Sequence, residues 1–183
     1  AAVGHRLGPH RQRPRVTVTS GLHHVEMVMG TAVSIDILDS DDPTLVDDLV
    51  SWFHRVDATF SPYRDDSVVT RIGRGDVAEA VSTAGDLMPD VLEVLHACDE
   101  LRTATDGVFD PWSVEAPTGG MFDPSGYVKG WSVERAARYL EDRGVHRFTI
   151  NAGGDIVGRG LDRKSTRLNS SHGYISYAAF CLK

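Results

Sequence analysis

Between Val25 and Leu38 apolar residues recur at every second position, with Val33, Ile35 and Ile37 alternating against Ser34 and Asp36. That is the pattern of an extended strand with one face turned inward. The triplet Met29-Gly30-Thr31 interrupts it, and a glycine inside a strand marks a bulge or a place where a ligand meets bare backbone. After Asp42-Pro43, a helix start signal, the spacing changes to Val46, Leu49, Val50, Phe53, Val56 and Phe60, one face of an α-helix. Residues 60–75, FSPYRDDSVVTRIGRG, read as a loop leading into a short helical segment that stops at Gly73 or Gly75. A second amphipathic helix runs from about Pro89 to Ala104 with Val91, Val94, Leu95, Cys98 and Leu101 inward, and Gly107 suits a left-handed cap behind it. A third places Val133, Ala136, Ala137 and Leu140 on one face and ends at Gly144. Before it stands a polar approach containing Asp123, Ser125, Gly126, Lys129 and Gly130. RFTINAGGDIVGRG then reads as strand, glycine turn and strand. Strands and helices do not alternate strictly, so the pattern predicts an α+β fold, a mixed or antiparallel sheet packed by amphipathic helices, over a doubly wound sheet.

Composition sets outer limits on this reading. The 183 residues, 41% hydrophobic and 25% charged, suit one ordinary globular core. Residues 1–22 mix Arg, His, Pro and Gly without periodicity and read as a disordered extension, leaving a domain over residues 23–162. Residues 163–183 turn Ser-rich, break the alternation that precedes them and resemble translated adapter sequence, so a non-native tail is expected there. A net charge of −7 argues against sequence-independent nucleic-acid binding, which needs a basic surface. No run reaches the ~18 apolar residues of a membrane span. No export signal is visible, but the first residue is not Met, so the compartment stays open between export and cytoplasm. Two cysteines make no disulfide framework, and Cys98 falls on an apolar helix face. His23 and His24 are neighbours on a strand, hence on opposite faces, which argues against a shared metal.

Candidate chemistry gathers at the glycines. Met29-Gly30-Thr31, the approach from Ser125 to Gly130 and Asn151-Ala-Gly-Gly-Asp155 each put unhindered backbone beside a short polar side chain. A helix N-terminus carries unpaired amides and a partial positive charge, which suit phosphate, and Lys129 adds a full charge. Asp110 and Asp123 each precede a proline and are biased toward extended backbone, from which a carboxylate reaches a ring edge or a hard cation. Tyr63, beside Pro62, presents a ring from a stiff loop. Each feature taken singly also serves an ordinary turn. Neither a P-loop nor a strand-linked GxGxxG is present. The residues by themselves reach a phosphate-bearing ligand with a divalent cation beside it.

Read together and in order, MGT, FSPYRDDS, TDGVFDP, DPSGYVKGWSVERA and NAGGDI resemble the FAD:protein FMN transferase family, also called ApbE, over about Glu26 to Gly160. The resemblance implies an α+β enzyme that binds FAD and Mg²⁺. Such an enzyme passes the FMN moiety through a phosphoester to a Thr of a target flavoprotein and releases AMP. It implies that Met29 and Tyr63 pack around the flavin, that Val108, Phe109 and Asp110 line the FAD, and that Asp123 and Lys129 also contact it. Gly126 stands where the family offers a backbone carbonyl to Mg²⁺. Asp155 is a candidate general base, and its alternative role is to cap the glycine turn. Water in place of Thr would make the reaction an FAD pyrophosphatase giving FMN and AMP, and a non-catalytic flavin-binding domain is a further alternative. After FDP the loop diverges to WSVEAPTGG, and the family's further metal ligands, an Asp and a hydroxyl residue, have no counterpart in this chain. The chain as it stands is therefore expected to bind FAD weakly or not at all and to be inactive. The family is often exported and membrane-associated.

Overall fold

A computed structural model describes residues 21–160. The expected extension and tail lie outside these residues, except Gly21 and Leu22, the latter opening the first strand. The elements are β1 (Leu22–Val28), β2 (Thr31–Ile37), α1 (Thr44–Phe60), α2 (Val68–Arg74), α3 (Val77–Ala84), a 3-10 turn (Gly85–Leu87), α4 (Met88–Ala104), α5 (Ser125–Asp142), β3 (Phe148–Ala152) and β4 (Asp155–Arg159). The four strands form one sheet in the order β1-β2-β3-β4, and every neighbouring pair is antiparallel. The α+β expectation holds.

The strand alternation decides which face of the sheet is covered. Val33, Ile35 and Ile37 on β2 and Phe148, Ile150 and Ala152 on β3 are fully buried, and α1 and α5 lie over them with Leu49, Phe53, Val133, Ala136, Ala137 and Leu140. Each large side chain buried there contributes roughly 1.5–3 kcal/mol. The opposite face carries polar residues together with exposed Val25, Met27 and Ile156. His23 and His24 do point to opposite faces: His23 meets Asp36, while His24 and His54 of α1 share the carboxylate of Glu26.

A second apolar cluster joins the ends of α1 and α5 to α2, α3 and α4 through Phe60, Val68, Ala80, Val94, Cys98, Phe122 and Trp131. Met29 and Trp52 border both clusters. Gly75 ends α2 with φ 88, and Gly107 follows α4 with φ 80, both in the left-handed region that glycine enters freely.

Three expectations change. The interruption at Met29-Gly30 is a hairpin turn rather than a bulge, with Val28 facing Thr31. The third helix begins at Ser125, so Gly126, Lys129 and Gly130 lie within its first two turns and not before it. Helix α3 does not show in the apolar pattern, because only Ala80 and Ala84 of its residues are buried. Among the described residues, no helix is long and apolar enough to cross a membrane.

Candidate functional site

Two hairpin turns meet at one end of the sheet. Met29 and Gly30 have φ values of 54 and 68, and Gly153 and Gly154 have 59 and 105. Positive φ at both central residues matches the right-handed twist of the flanking strands, which is why tight hairpins favour it. The β2–β3 register pairs Val33 with Ala152 and so brings both turns to the same edge. Their contact is close. A Cβ on Gly153 would stand 2.5 Å from Thr31 Oγ1.

The N-terminal half of α5 closes this corner. Lys129 Nζ lies 3.6 Å from Asp155 Oδ2, tying the helix to the start of β4. The fully buried Ser132 donates its hydroxyl to the Lys129 carbonyl at 2.7 Å and stands 4.0 Å from Met29 Sδ. The Trp52 indole donates to the Ser132 carbonyl at 3.1 Å. Met29, Lys129 and Asp155, expected from the sequence, are thus brought together. Ser132 does not stand out in the sequence; a serine three positions after Lys129 on a buried helix face is the available sign.

Residues 105–124 approach α5 from its other side. Phe109 packs so that a Cβ on Gly126 would be 3.5 Å from its ring, and the Asp123 amide donates to the Pro111 carbonyl at 2.9 Å. Asp123 accepts from the Ser125 amide at 2.9 Å and from the Ser125 hydroxyl, closing a side-chain turn just before α5. Asp110 accepts from the Trp112 amide at 3.1 Å and pairs with Arg102 at 3.3 Å. Both Asp-Pro carboxylates therefore already serve their own turns through one oxygen. Phe109, Asp110, Asp123 and Gly126 form this side of the site. Tyr63 and Val108 are 75% and 63% exposed, and the Pro62 carbonyl accepts from Thr118 at 2.9 Å and so ties the two loops together.

Local bonding modifies the expectation of free helix-end amides. Tyr127 and Val128 donate to the Pro124 carbonyl and Ser125 to Asp123, so among the described residues Gly126 N–H is the amide of the first turn left without a partner. The Gly126 carbonyl lies inside the helix, where it points along the axis toward the residue four positions on, and only its second lone pair faces outward. Among the described residues, no group of three or more His, Cys, Asp or Glu is placed to hold a metal ion. A hard cation takes about six oxygens, and this corner offers one neutral carbonyl beside carboxylates already engaged, so the described residues do not by themselves fit Mg²⁺.

Two cavities lie elsewhere. One of about 610 Å³ runs between α1, α4 and α5 past Trp52, Arg55, Asp90, Arg135 and Tyr139, and one of about 420 Å³ lies beside Asp39, Asp42 and Gly144. No residue of the glycine corner lines either. Burial pushes Asp90 above the usual carboxylate range, against the opposing pull of Arg135.

The model of the ApbE family matches residues 29–118 and 113–169. The chain belongs to the ApbE family. The second matched segment runs past residue 162, where the domain was expected to end. Among solved structures the chain is similar to a variant of the flavin transferase ApbE from Vibrio cholerae, with TM-score 0.62 and 19% identity over 80% of this chain and 65% of that one. It is also similar to the apo flavinyl transferase ApbE of Pseudomonas stutzeri, with TM-score 0.63 and 17% identity over 81% and 64%. An ApbE protein from Thermotoga maritima gives TM-score 0.61 and 16% identity over 78% and 60%. At these identities the likeness is one of fold. The chain spans less than two thirds of the length of each of these ApbE structures. No curated protein matches its sequence.

Proposed function

We propose that this chain carries the diphosphate-handling part of a flavin transferase that moves the FMN moiety of FAD onto a Thr hydroxyl of a target flavoprotein. The observation that carries the reading is the meeting of the Met29 turn, Lys129 of α5 and Asp155 of β4 in a member of the ApbE family. In this reaction the Thr oxygen attacks the FMN phosphorus and the new P–O bond forms. The bridging P–O bond breaks, AMP leaves with that oxygen, and the Thr proton passes to a base.

Phosphoryl transfer asks the protein mainly for position and charge. Lys129 supplies the cation nearest the corner and holds it on a helix rather than a loop. The Gly126 N–H is free to donate to a phosphate oxygen. Met29 and Phe109, already seated against the apolar cluster, offer faces for the flavin ring, with Tyr63 and Val108 exposed to complete them. Asp123 keeps one carboxylate oxygen for ligand contact, whereas Asp110 would have to share the oxygen it turns toward Arg102. Asp155 is the carboxylate at hand to accept the Thr proton once Lys129 is engaged elsewhere. Mg²⁺, the cation this family implies, would draw its remaining oxygens from beyond the described residues, and no step here passes through it.

The complete gene product, incubated with FAD, Mg²⁺ and a Thr-bearing acceptor peptide, is expected to give flavin fluorescence on the peptide that survives denaturation. Free FMN without labelled peptide would identify a pyrophosphatase. Neither product, with FAD still bound, would identify a flavin-binding domain. A Lys129→Ala variant that kept full FAD affinity would refute the assigned phosphate contact.

A further inference from the structure

We propose that Asp155 is the resident counter-anion of Lys129: in the empty protein its carboxylate stands where an oxygen of the FAD diphosphate binds, and the diphosphate enters by displacing it. The inference rests on the flavin-diphosphate reading above and adds to it how the site is filled before the ligand arrives.

The geometry is that of a replaceable contact. The Lys129–Asp155 separation of 3.6 Å exceeds the ~2.7–2.9 Å of a strong charge-assisted hydrogen bond, so the pair is held by charge and not by a locked geometry. The Asp155 side chain is 17% exposed and that of Lys129 is 38% exposed. A carboxylate so largely covered needs a counter-charge, because removing an ion from water is costly unless it is paired. Among the described residues Lys129 is the sole cation within ion-pair reach of Asp155, and no amide or hydroxyl donates to its carboxylate. The same holds in reverse, since among the described residues Asp155 is the sole acid paired with Lys129.

The backbone just before Asp155 is uncrowded. Asp155 is the first residue of β4, directly after a glycine turn in which a Cβ on Gly154 would meet nothing within 4 Å. Lys129 sits on a helix whose Ser132 hydroxyl holds the Lys129 carbonyl, so the lysine backbone stays fixed while the acid moves. A ligand therefore has to replace a full negative charge at the ammonium. A diphosphate brings more charge and more oxygens than the carboxylate it removes, whereas a flavin without phosphate brings none. The self-occupied site thus selects for the phosphorylated ligand and weakens its apparent affinity by the strength of the pair.

The test is a double-mutant cycle read by quenching of FAD fluorescence at low salt, with wild type, Asp155→Asn, Lys129→Ala and the double variant each checked for folding by circular dichroism. Asp155→Asn is expected to bind FAD about two- to fivefold more tightly than wild type, the range set by partly exposed ion pairs. Lys129→Ala is expected to bind more weakly, and in that background Asp155→Asn should bring no further gain. Asp155→Ser should behave as Asp155→Asn does. If Lys129→Ala weakens binding but Asp155→Asn does not strengthen it, the site assignment stands and displacement is wrong. An equal gain in the Lys129→Ala background would mean general repulsion of an anion, which also overturns displacement. If none of the four proteins binds FAD, the flavin-diphosphate reading itself fails, and this proposal with it.

Discussion

Replacing Gly153 by alanine tests whether the two hairpin turns are truly wedged together. An alanine there would occupy φ 59, and its Cβ would stand 2.5 Å from Thr31 Oγ1, 3.2 Å from Thr31 Cβ and 3.3 Å from Thr31 Cγ2. Rotating Thr31 about its first side-chain torsion moves Oγ1 and Cγ2 but leaves Cβ in place, so the turns must also separate slightly. The left-handed backbone costs a non-glycine residue about 1–2 kcal/mol. Overpacking of a tight contact adds roughly 1–3 kcal/mol. The sum is about 2–5 kcal/mol. Gly30→Ala is the matched control, since Gly30 has φ 68 and nothing within 4 Å of an added Cβ, and it should cost the backbone part alone. Urea unfolding followed by tryptophan fluorescence measures both. Adding Thr31→Ala to Gly153→Ala should return most of the steric part and none of the backbone part. Equal losses for Gly153→Ala and Gly30→Ala, or additivity between Gly153→Ala and Thr31→Ala, would refute the wedge.

Gly120→Ala should destabilise more than either, because its Cβ would meet the Gly73 backbone at 2.7 Å and φ is 100; a loss below about 2 kcal/mol in urea would show the 105–124 segment yielding there. Cys98 is buried, and burial, aided by Asp99, pushes its thiol up to about 12, so iodoacetamide at pH 8 should label it only after urea unfolding, and rapid labelling of the folded protein would contradict this. Hydrogen bonds from His24, then His54, hold Glu26 below its ordinary value of 4.5. Its contribution to stability is therefore full above that value and lost as pH falls through the lowered one, so Glu26→Gln should trail wild type in urea midpoint near pH 6 and converge with it in acid; a constant gap would count against the shared carboxylate.

Much of the architecture was readable because burial follows simple periods. Val33, Ile35 and Ile37 alternate as a one-faced strand must, and the α1 and α4 stripes keep helical spacing to within a residue of their observed ends. The start of α5 was misplaced for a physical reason: Gly126 and Gly130 are poor helix formers, and Val128 and Trp131 turn toward the second cluster, out of line with the stripe from Val133. Helix α3 buries two alanines and exposes Val77 and Val81, leaving no stripe to detect. The hairpin at Met29 lacks the Asn-Gly signature that announces such turns. At the site, glycine positions and charged residues could be picked out one by one. The Lys129–Asp155 pair and the Thr31–Gly153 wedge could not, because the first follows from how α5 docks beside β4 and the second from the β2–β3 register, which pairs residues more than a hundred positions apart.

The Met29–Ser132 contact spans 103 positions. Closing so long a loop is entropically costly, so contacts of this kind form late, when most of the native structure exists. A growing polypeptide on the ribosome cannot assemble the corner until β3 and β4 have emerged and docked, and no ligand bound there can guide the earlier steps. Any ligand held there grips the finished molecule and not the unfolded chain, so its effect on melting temperature would report directly on completion of the fold.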